Sequence, residues 1–93
     1  MNPRMQKKIA RAAEALKKYG AREVYVFGSL AEGTFGRHSD IDMAVAGLPP
    51  QVFFAAMGEA MTVLGRPLDL IDLDYDTTFV NRLREKGKLF RII

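Results

Sequence analysis

The chain has 93 residues, of which 48% are hydrophobic and 27% are charged, and its formal net charge is +3. This length suits one domain, 1–93, with a single hydrophobic core, and the composition excludes a disordered tail. The absence of cysteine excludes disulfides, thiolate zinc sites and thiol nucleophiles, and no apolar run approaches the roughly 20 residues of a membrane span. We therefore expect a cytoplasmic protein with no membrane association.

The first half of the chain predicts one helix and two strands. Apolar residues from Met5 to Tyr19 recur in the steps that are typical of one face of an amphipathic helix, and Gly20 ends it. The segments 23–27 and 41–47 are rich in strand-forming residues and predict strands. The basic residues of the helix fit a solvated surface better than a phosphate-binding face. They are Arg4, Lys7, Lys8, Arg11, Lys17 and Lys18.

The second half predicts a helix, a strand and a helix. Residues 52–64 carry one charge, so we expect a helix that is largely buried, either in the core or against a partner. Its core stripe comprises Phe53, Met57, Ala60 and Leu64. Segment 67–74 predicts a third strand, and Asp76 is expected to cap a last helix that ends at Gly87. The inward residues of that helix are Phe79, Val80 and Leu83. The apolar tail 88–93 fits either an edge strand or a subunit contact.

This order of elements predicts an α/β fold, in which helices pack on a small mixed β-sheet of three to four strands. Strands one and two, joined by the 30–39 loop, are expected to be antiparallel. Strands two and three are joined by a helical crossover, so they should be parallel with adjacent N-terminal ends. This arrangement brings Gly28 and Ser29 beside Asp40, and it brings Asp69 close to both Asp40 and Asp42.

Three carboxylates therefore predict a cation site at one end of the sheet. Asp40 and Asp42 lie two positions apart and share a face, and Asp69 adds a third charge. Such a cluster repels itself unless a cation neutralises it, and hard oxygen ligands select Mg²⁺ or Mn²⁺. Asp72 and Asp74 have the opposite parity to Asp69. We favour Asp69, because Asp72 lies about 10 Å further along the strand.

The Gly28-Ser29 pair predicts a phosphate-binding turn. A glycine at a strand end lets a ligand approach the backbone, and Ser29 can offer its N–H and its hydroxyl to a phosphate. The stretch is not a Walker A loop, because Thr34-Phe35 stands where Lys-Ser/Thr is required. It does not match the dinucleotide-binding fingerprint either.

The Gly-Ser pair, the Asp-x-Asp ten residues later and a further Asp in "LDLID" together resemble the minimal nucleotidyltransferase domain of the DNA polymerase beta superfamily. The likeness spans roughly residues 20–87. It implies a palm-like nucleotidyltransferase fold, with Gly28 and Ser29 holding the phosphates of a nucleotide. It also implies three catalytic carboxylates that bind two divalent ions, namely Asp40, Asp42 and Asp69. One departure is Glu32, which stands where many members carry Arg.

The resemblance implies a metal-dependent enzyme that moves a nucleoside monophosphate, with AMP from ATP as the first choice, to a hydroxyl acceptor. It further implies a HEPN-type helical toxin as partner, which the protein would adenylylate as its antitoxin. The alternative is a non-catalytic antitoxin or regulatory module that neutralises its partner by contact. A third and weaker hypothesis is a nucleic-acid-binding protein without catalytic activity, because an acidic site without metal repels phosphates. The sequence does not determine the acceptor, the preference for one nucleotide base or the formation of homo-oligomers.

Overall fold

The computed structural model describes residues 3–28, 40–75 and 78–93, and within them a mixed sheet organises the fold. The strands are β1 (Glu23–Phe27), β2 (Ile41–Ala46), β3 (Leu68–Asp72) and β4 (Phe90–Arg91). Their order across the sheet is β3-β2-β1-β4. The predicted mixed sheet is thus confirmed, with four strands in the described part of the chain.

The directions of the strands agree with the directions expected from their connections. β1 and β2 are antiparallel, and Phe27 stands opposite Asp42. β2 and β3 are parallel, and Asp42 stands beside Asp69. The crossover between β2 and β3 therefore places the N-terminal ends of both strands at the same end of the sheet.

The two faces of the sheet are covered unequally. The helices are α1 (Pro3–Lys18), α2 (Phe53–Leu64, preceded by a 3₁₀ turn at Pro50–Val52) and α3 (Thr78–Glu85). α1 and α2 pack on one face and form the larger core with inward residues of all three long strands. The shorter α3 packs on the other face and forms a smaller core. Its buried members are Phe27, Ala44, Ala46, Leu73 and Val80.

The predicted stripe of α1 is confirmed. Ile9 and Leu16 are fully buried, and Tyr19 packs at the edge of the same core. The Tyr19 hydroxyl donates a hydrogen bond of 3.4 Å to the carboxylate of Glu59 on α2. Amphipathic periodicity is a reliable signal here, because one side of a long helix meets the sheet and the other side meets water.

The prediction that α2 is buried in the core is confirmed along one side of the helix only, and burial of its other side against a partner stays a prediction. Ala60 and Leu64 are fully buried, but Phe53 and Met57 are only half-buried, and 76% of Phe54 is exposed. The helix touches the sheet and α1 along one side, so apolar residues on its opposite side stay in water. An apolar sequence does not by itself provide a second partner for a helix.

The inward assignment of Phe79 on α3 is correct only in part, because its ring contacts the core residue Phe27 but does not become buried. Val80 is buried and Leu83 is half-buried, as expected, but 45% of Phe79 is exposed. A helix of about two turns presents only a narrow row to the sheet, so Phe79 lies at the margin of the contact. The expected cap, Asp76, lies outside the described residues.

The C-terminal segment forms an edge strand, which was one of the two predicted alternatives. The N–H of Ile92 donates to the carbonyl of Val24 at 2.7 Å, and Phe90 pairs with Val26. Among the helices that the structure describes, none combines the length and apolar character needed to cross a membrane.

Candidate active site

The three predicted carboxylates lie at one end of the sheet, where β2 and β3 begin. Asp40 immediately precedes β2, and Asp42 is paired with Asp69 on β3. Residues directly opposite in an antiparallel pair point to the same face, so Asp42 shares the face of Phe27. Because Phe27 belongs to the smaller core, Asp42 points to the α3 side of the sheet, at the end that is not filled by that core.

The electrostatics of this group are unfavourable without a cation. Asp42 is half-buried, whereas Asp40 and Asp69 are exposed. Burial raises the pKa of the Asp42 carboxyl above its ordinary value, and the negative charges of Asp69 and then Asp40 raise it further. The carboxylates of Asp69 and Asp40 are therefore close enough to Asp42 to disfavour its charged form.

A hard divalent cation fits the chemistry of this donor set. Carboxylate oxygens are the ligands that Mg²⁺ and Mn²⁺ prefer, and a cation would remove the repulsion that raises the pKa of Asp42. Within residues 3–28, 40–75 and 78–93, however, no group of three His, Cys, Asp or Glu side chains already forms a metal-binding cluster.

The end of β1 borders the same carboxylates. Gly28 follows Phe27 and has a φ of +71°, in the left-handed region that favours glycine. A Cβ atom at this position would lie 3.1 Å from Cγ of Asp42 and closer still to one of its carboxylate oxygens. Glycine is therefore required here for the carboxyl group of Asp42 to rest against the backbone. Ser29, the other predicted phosphate-binding residue, lies outside the described residues.

The two competing carboxylates, Asp72 at the end of β3 and Asp74 just after it, have structural partners. Asp72 pairs with Val45, three positions beyond the Asp42–Asp69 pair. An Asp72 oxygen accepts a hydrogen bond of 2.9 Å from the N–H of Asp74, whose own carboxylate accepts one of 2.7 Å from the N–H of Gly47. The expected positions of Asp69 and Asp72 are thus confirmed, and the catalytic role of Asp69 stays a prediction.

The sequence did not predict that Phe79 lies near the carboxylates. The ring of Phe79, in the first turn of α3, packs edge-to-face with the ring of Phe27, at a centroid distance of 6.2 Å and an interplanar angle of 89°. Phe27 is the pairing partner of Asp42, so a half-exposed aromatic ring borders the carboxylate end of the sheet. The apolar pattern of α3 indicated a packing residue, and only the position of the helix reveals this neighbourhood.

The sequence profile of the family described as "Polymerase beta, Nucleotidyltransferase" matches residues 7–91. The chain therefore belongs to the polymerase beta nucleotidyltransferase family, which confirms the resemblance identified from its motifs. No curated protein matched the sequence.

Comparison with solved structures identifies chains with a similar fold, and three of them are described below as examples. A chain of a toxin–antitoxin complex crystallised with AMP-PNP is 26% identical, with a TM-score of 0.72 over 92% of this chain and 70% of that one. A complex of a tri-AMPylated HEPN toxin from Shewanella oneidensis with its MNT antitoxin contains a chain that is 21% identical, with a TM-score of 0.68 over 94% and 70% of the two chains. A structure described as a minimal nucleotidyltransferase is 22% identical, with a TM-score of 0.70 over 96% and 94%. At these identities the last two establish the fold alone.

Proposed function

We propose that the protein transfers AMP from ATP to a hydroxyl group of a HEPN-type helical toxin and thereby acts as its antitoxin. The observation that carries the proposal is the meeting of Asp40, Asp42 and Asp69 at one end of the sheet, beside the glycine that ends β1. Membership of the nucleotidyltransferase family and the likeness to a toxin–antitoxin chain crystallised with AMP-PNP support it. The tri-AMPylated toxin of a structural neighbour supports the choice of acceptor.

In this mechanism Asp40, Asp42 and Asp69 are the residues that would hold two divalent ions. Bound at such a site, two ions activate an attacking hydroxyl and stabilise the leaving pyrophosphate of an in-line displacement. The glycine at position 28 keeps the backbone beside Asp42 free of a side chain, so that phosphate groups can approach it. Ser29 would donate its N–H and hydroxyl to those phosphates.

The exposed carboxylate of Asp69 is suited to accept the proton of the acceptor hydroxyl. The acceptor oxygen forms a bond to the α-phosphorus of ATP, and the bond from that phosphorus to the oxygen bridging the β-phosphate breaks. Pyrophosphate leaves with the bonding electrons. The products are the AMP ester of the acceptor and pyrophosphate, so atoms and charge balance without another reactant.

The test is transfer of label from ATP to a protein acceptor. The protein is incubated with Mg²⁺ and ATP labelled on the α-phosphate, with and without the product of the neighbouring gene as candidate toxin. We expect label on the toxin from α-labelled ATP and none from γ-labelled ATP, because the γ-phosphate leaves with pyrophosphate.

The matched variants are Asp42→Asn and Asp72→Asn, which make the same chemical change on neighbouring strands. We expect Asp42→Asn to abolish transfer and Asp72→Asn to retain it, since Asp72 accepts a backbone hydrogen bond that an amide oxygen can also accept. Equal transfer by Asp42→Asn would refute the catalytic assignment. Neutralisation of the toxin without any transfer of label would instead identify a binding module that acts by contact.

A further inference from the structure

The outer side of α3 carries an aromatic ring and cationic side chains in a row. Phe79, Arg82, Leu83 and Lys86 line a shallow groove together with Thr78. The spacing of three, four and seven positions places these residues on one side of the helix. Phe79, Arg82 and Lys86 are exposed, and Leu83 is half-buried. We call this groove the α3 groove.

The α3 groove begins beside the carboxylate end of the sheet. Phe79 contacts Phe27, and Phe27 is paired with Asp42. In the edge-to-face contact only an edge of one ring meets a face of the other, so Phe79 keeps at least one ring face clear of Phe27. With 45% of its surface exposed, that ring is open to a flat ligand on the side away from the core.

We infer that Phe79 is the stacking platform for the base of the nucleotide, with Arg82 adding positive charge next to it. This inference rests on the proposed function, which positions the phosphates beside Gly28, next to the ions that Asp42 and Asp69 would hold. A base attached to those phosphates must lie on the α3 side of the sheet, because both carboxylates point there. Phe79 is one of the large apolar side chains that stay exposed, and its ring packs against Phe27, the pairing partner of Asp42.

The physical basis is the stacking of a base on an aromatic face. Every base has such a face, and the interaction strengthens with ring area, so the platform predicts tighter binding of purine than of pyrimidine nucleotides. A cationic guanidinium beside the ring attracts the negatively charged ligand and can contact the base by a cation–π interaction. Phe79 thereby contributes to the affinity for the nucleoside. The phosphates bind separately, at the end of the sheet where the carboxylates lie.

Phe54 provides a matched control. It is even more exposed than Phe79, at 76%, but it belongs to α2, which packs on the opposite face of the sheet. A general loss of exposed aromatic surface would affect both positions alike. A base platform predicts that Phe79 and Phe54 behave differently toward nucleotides.

The first experiment compares two ligands that share phosphates but differ in the base. Dissociation constants for AMP-PNP and for inorganic tripolyphosphate are measured with Mg²⁺ for the wild type, Phe79→Leu and Phe54→Leu. We expect Phe79→Leu to weaken AMP-PNP binding about 5- to 150-fold, the range expected for one base–aromatic stack, and to leave tripolyphosphate binding unchanged. Phe54→Leu should change neither constant.

The second experiment uses the absence of tryptophan from the chain. Phe79→Trp keeps an aromatic platform and introduces a single tryptophan at the proposed base site, and Phe54→Trp introduces one at the control site. AMP-PNP should quench the fluorescence of Phe79→Trp, tripolyphosphate should not, and Phe54→Trp should respond to neither ligand. This measurement keeps the inference testable if Phe79→Leu fails to fold.

The outcomes separate the inference from the function on which it rests. If the wild type binds AMP-PNP and Phe79→Leu binds it equally well, the platform is wrong and the proposed function stands. Weakening of both ligands by Phe79→Leu would identify a structural role of the ring and also overturn the platform. If the wild type binds neither ligand, the proposed function fails and the inference fails with it.

Discussion

Replacement of Gly28 by alanine tests the contact between the end of β1 and Asp42. The new Cβ would lie 3.1 Å from Cγ and 3.3 Å from Cβ of Asp42, and nearer still to a carboxylate oxygen, so the Asp42 side chain must move. Alanine would also adopt a φ near +71°, which costs an L-residue about 1–2 kcal/mol. Displacement of a catalytic group by about 1 Å can reduce activity about 100-fold, and we expect a loss of AMP transfer of that order.

Gly65→Ala is the control for the backbone strain. Gly65, at the C-terminal cap of α2, has a φ of +67°, and a Cβ atom there would meet no other atom within 4 Å. This variant should lose about 1–2 kcal/mol from strain alone, which lowers the thermal midpoint of a domain of this size by about 4–8 °C per kcal/mol. Its transfer activity at a temperature well below the midpoint should equal that of the wild type.

The assay combines thermal unfolding with label transfer for both variants. We expect Gly28→Ala to unfold at a lower temperature than Gly65→Ala and to lose activity, because it adds a steric conflict to the same strain. If the two variants lose the same stability and both retain activity, then Asp42 does not rest against the backbone of Gly28, or its position does not matter for transfer.

Three further predictions concern the carboxylates. Asp42→Asn should raise the thermal midpoint of the metal-free protein at neutral pH, because burial and two neighbouring charges raise the pKa of Asp42 and so make its charged form destabilising. The native state binds a proton at Asp42 more tightly than the unfolded chain does, so the stability advantage of Asp42→Asn should shrink as the pH falls through the folded pKa of Asp42. A stability advantage that grows toward acid pH would contradict the raised pKa. Asp69→Asn should abolish AMP transfer in the labelled assay, whereas Asp72→Asn should keep most of it, and the reverse result would overturn the choice between them. Mg²⁺ together with AMP-PNP should stabilise the wild type by about 2.7 kcal/mol at a hundredfold excess over the dissociation constant, measured as a rise of the midpoint that Asp42→Asn lacks.

The sequence alone determined the long elements and the directions of their strands. The 23–27 segment forms β1 as predicted, and the crossover through α2 makes β2 and β3 parallel. Strand periodicity and the rules for connections are local or topological properties, so they can be read without coordinates. The same rules were sufficient to predict that Asp69, and not Asp72, lies beside Asp42.

Only the tertiary structure decided what surrounds these carboxylates. Phe54 lies in an apolar stretch and Phe79 was predicted to point inward, yet both are exposed, because which side of a helix is covered depends on the elements packed against it. The close approach of Gly28 to Asp42 and the contact of Phe79 with Phe27 likewise join residues that are distant in the chain. The sequence spacing indicated which residues could bind a cation and phosphates, but the packing of α3 against the sheet determines where a base could lie.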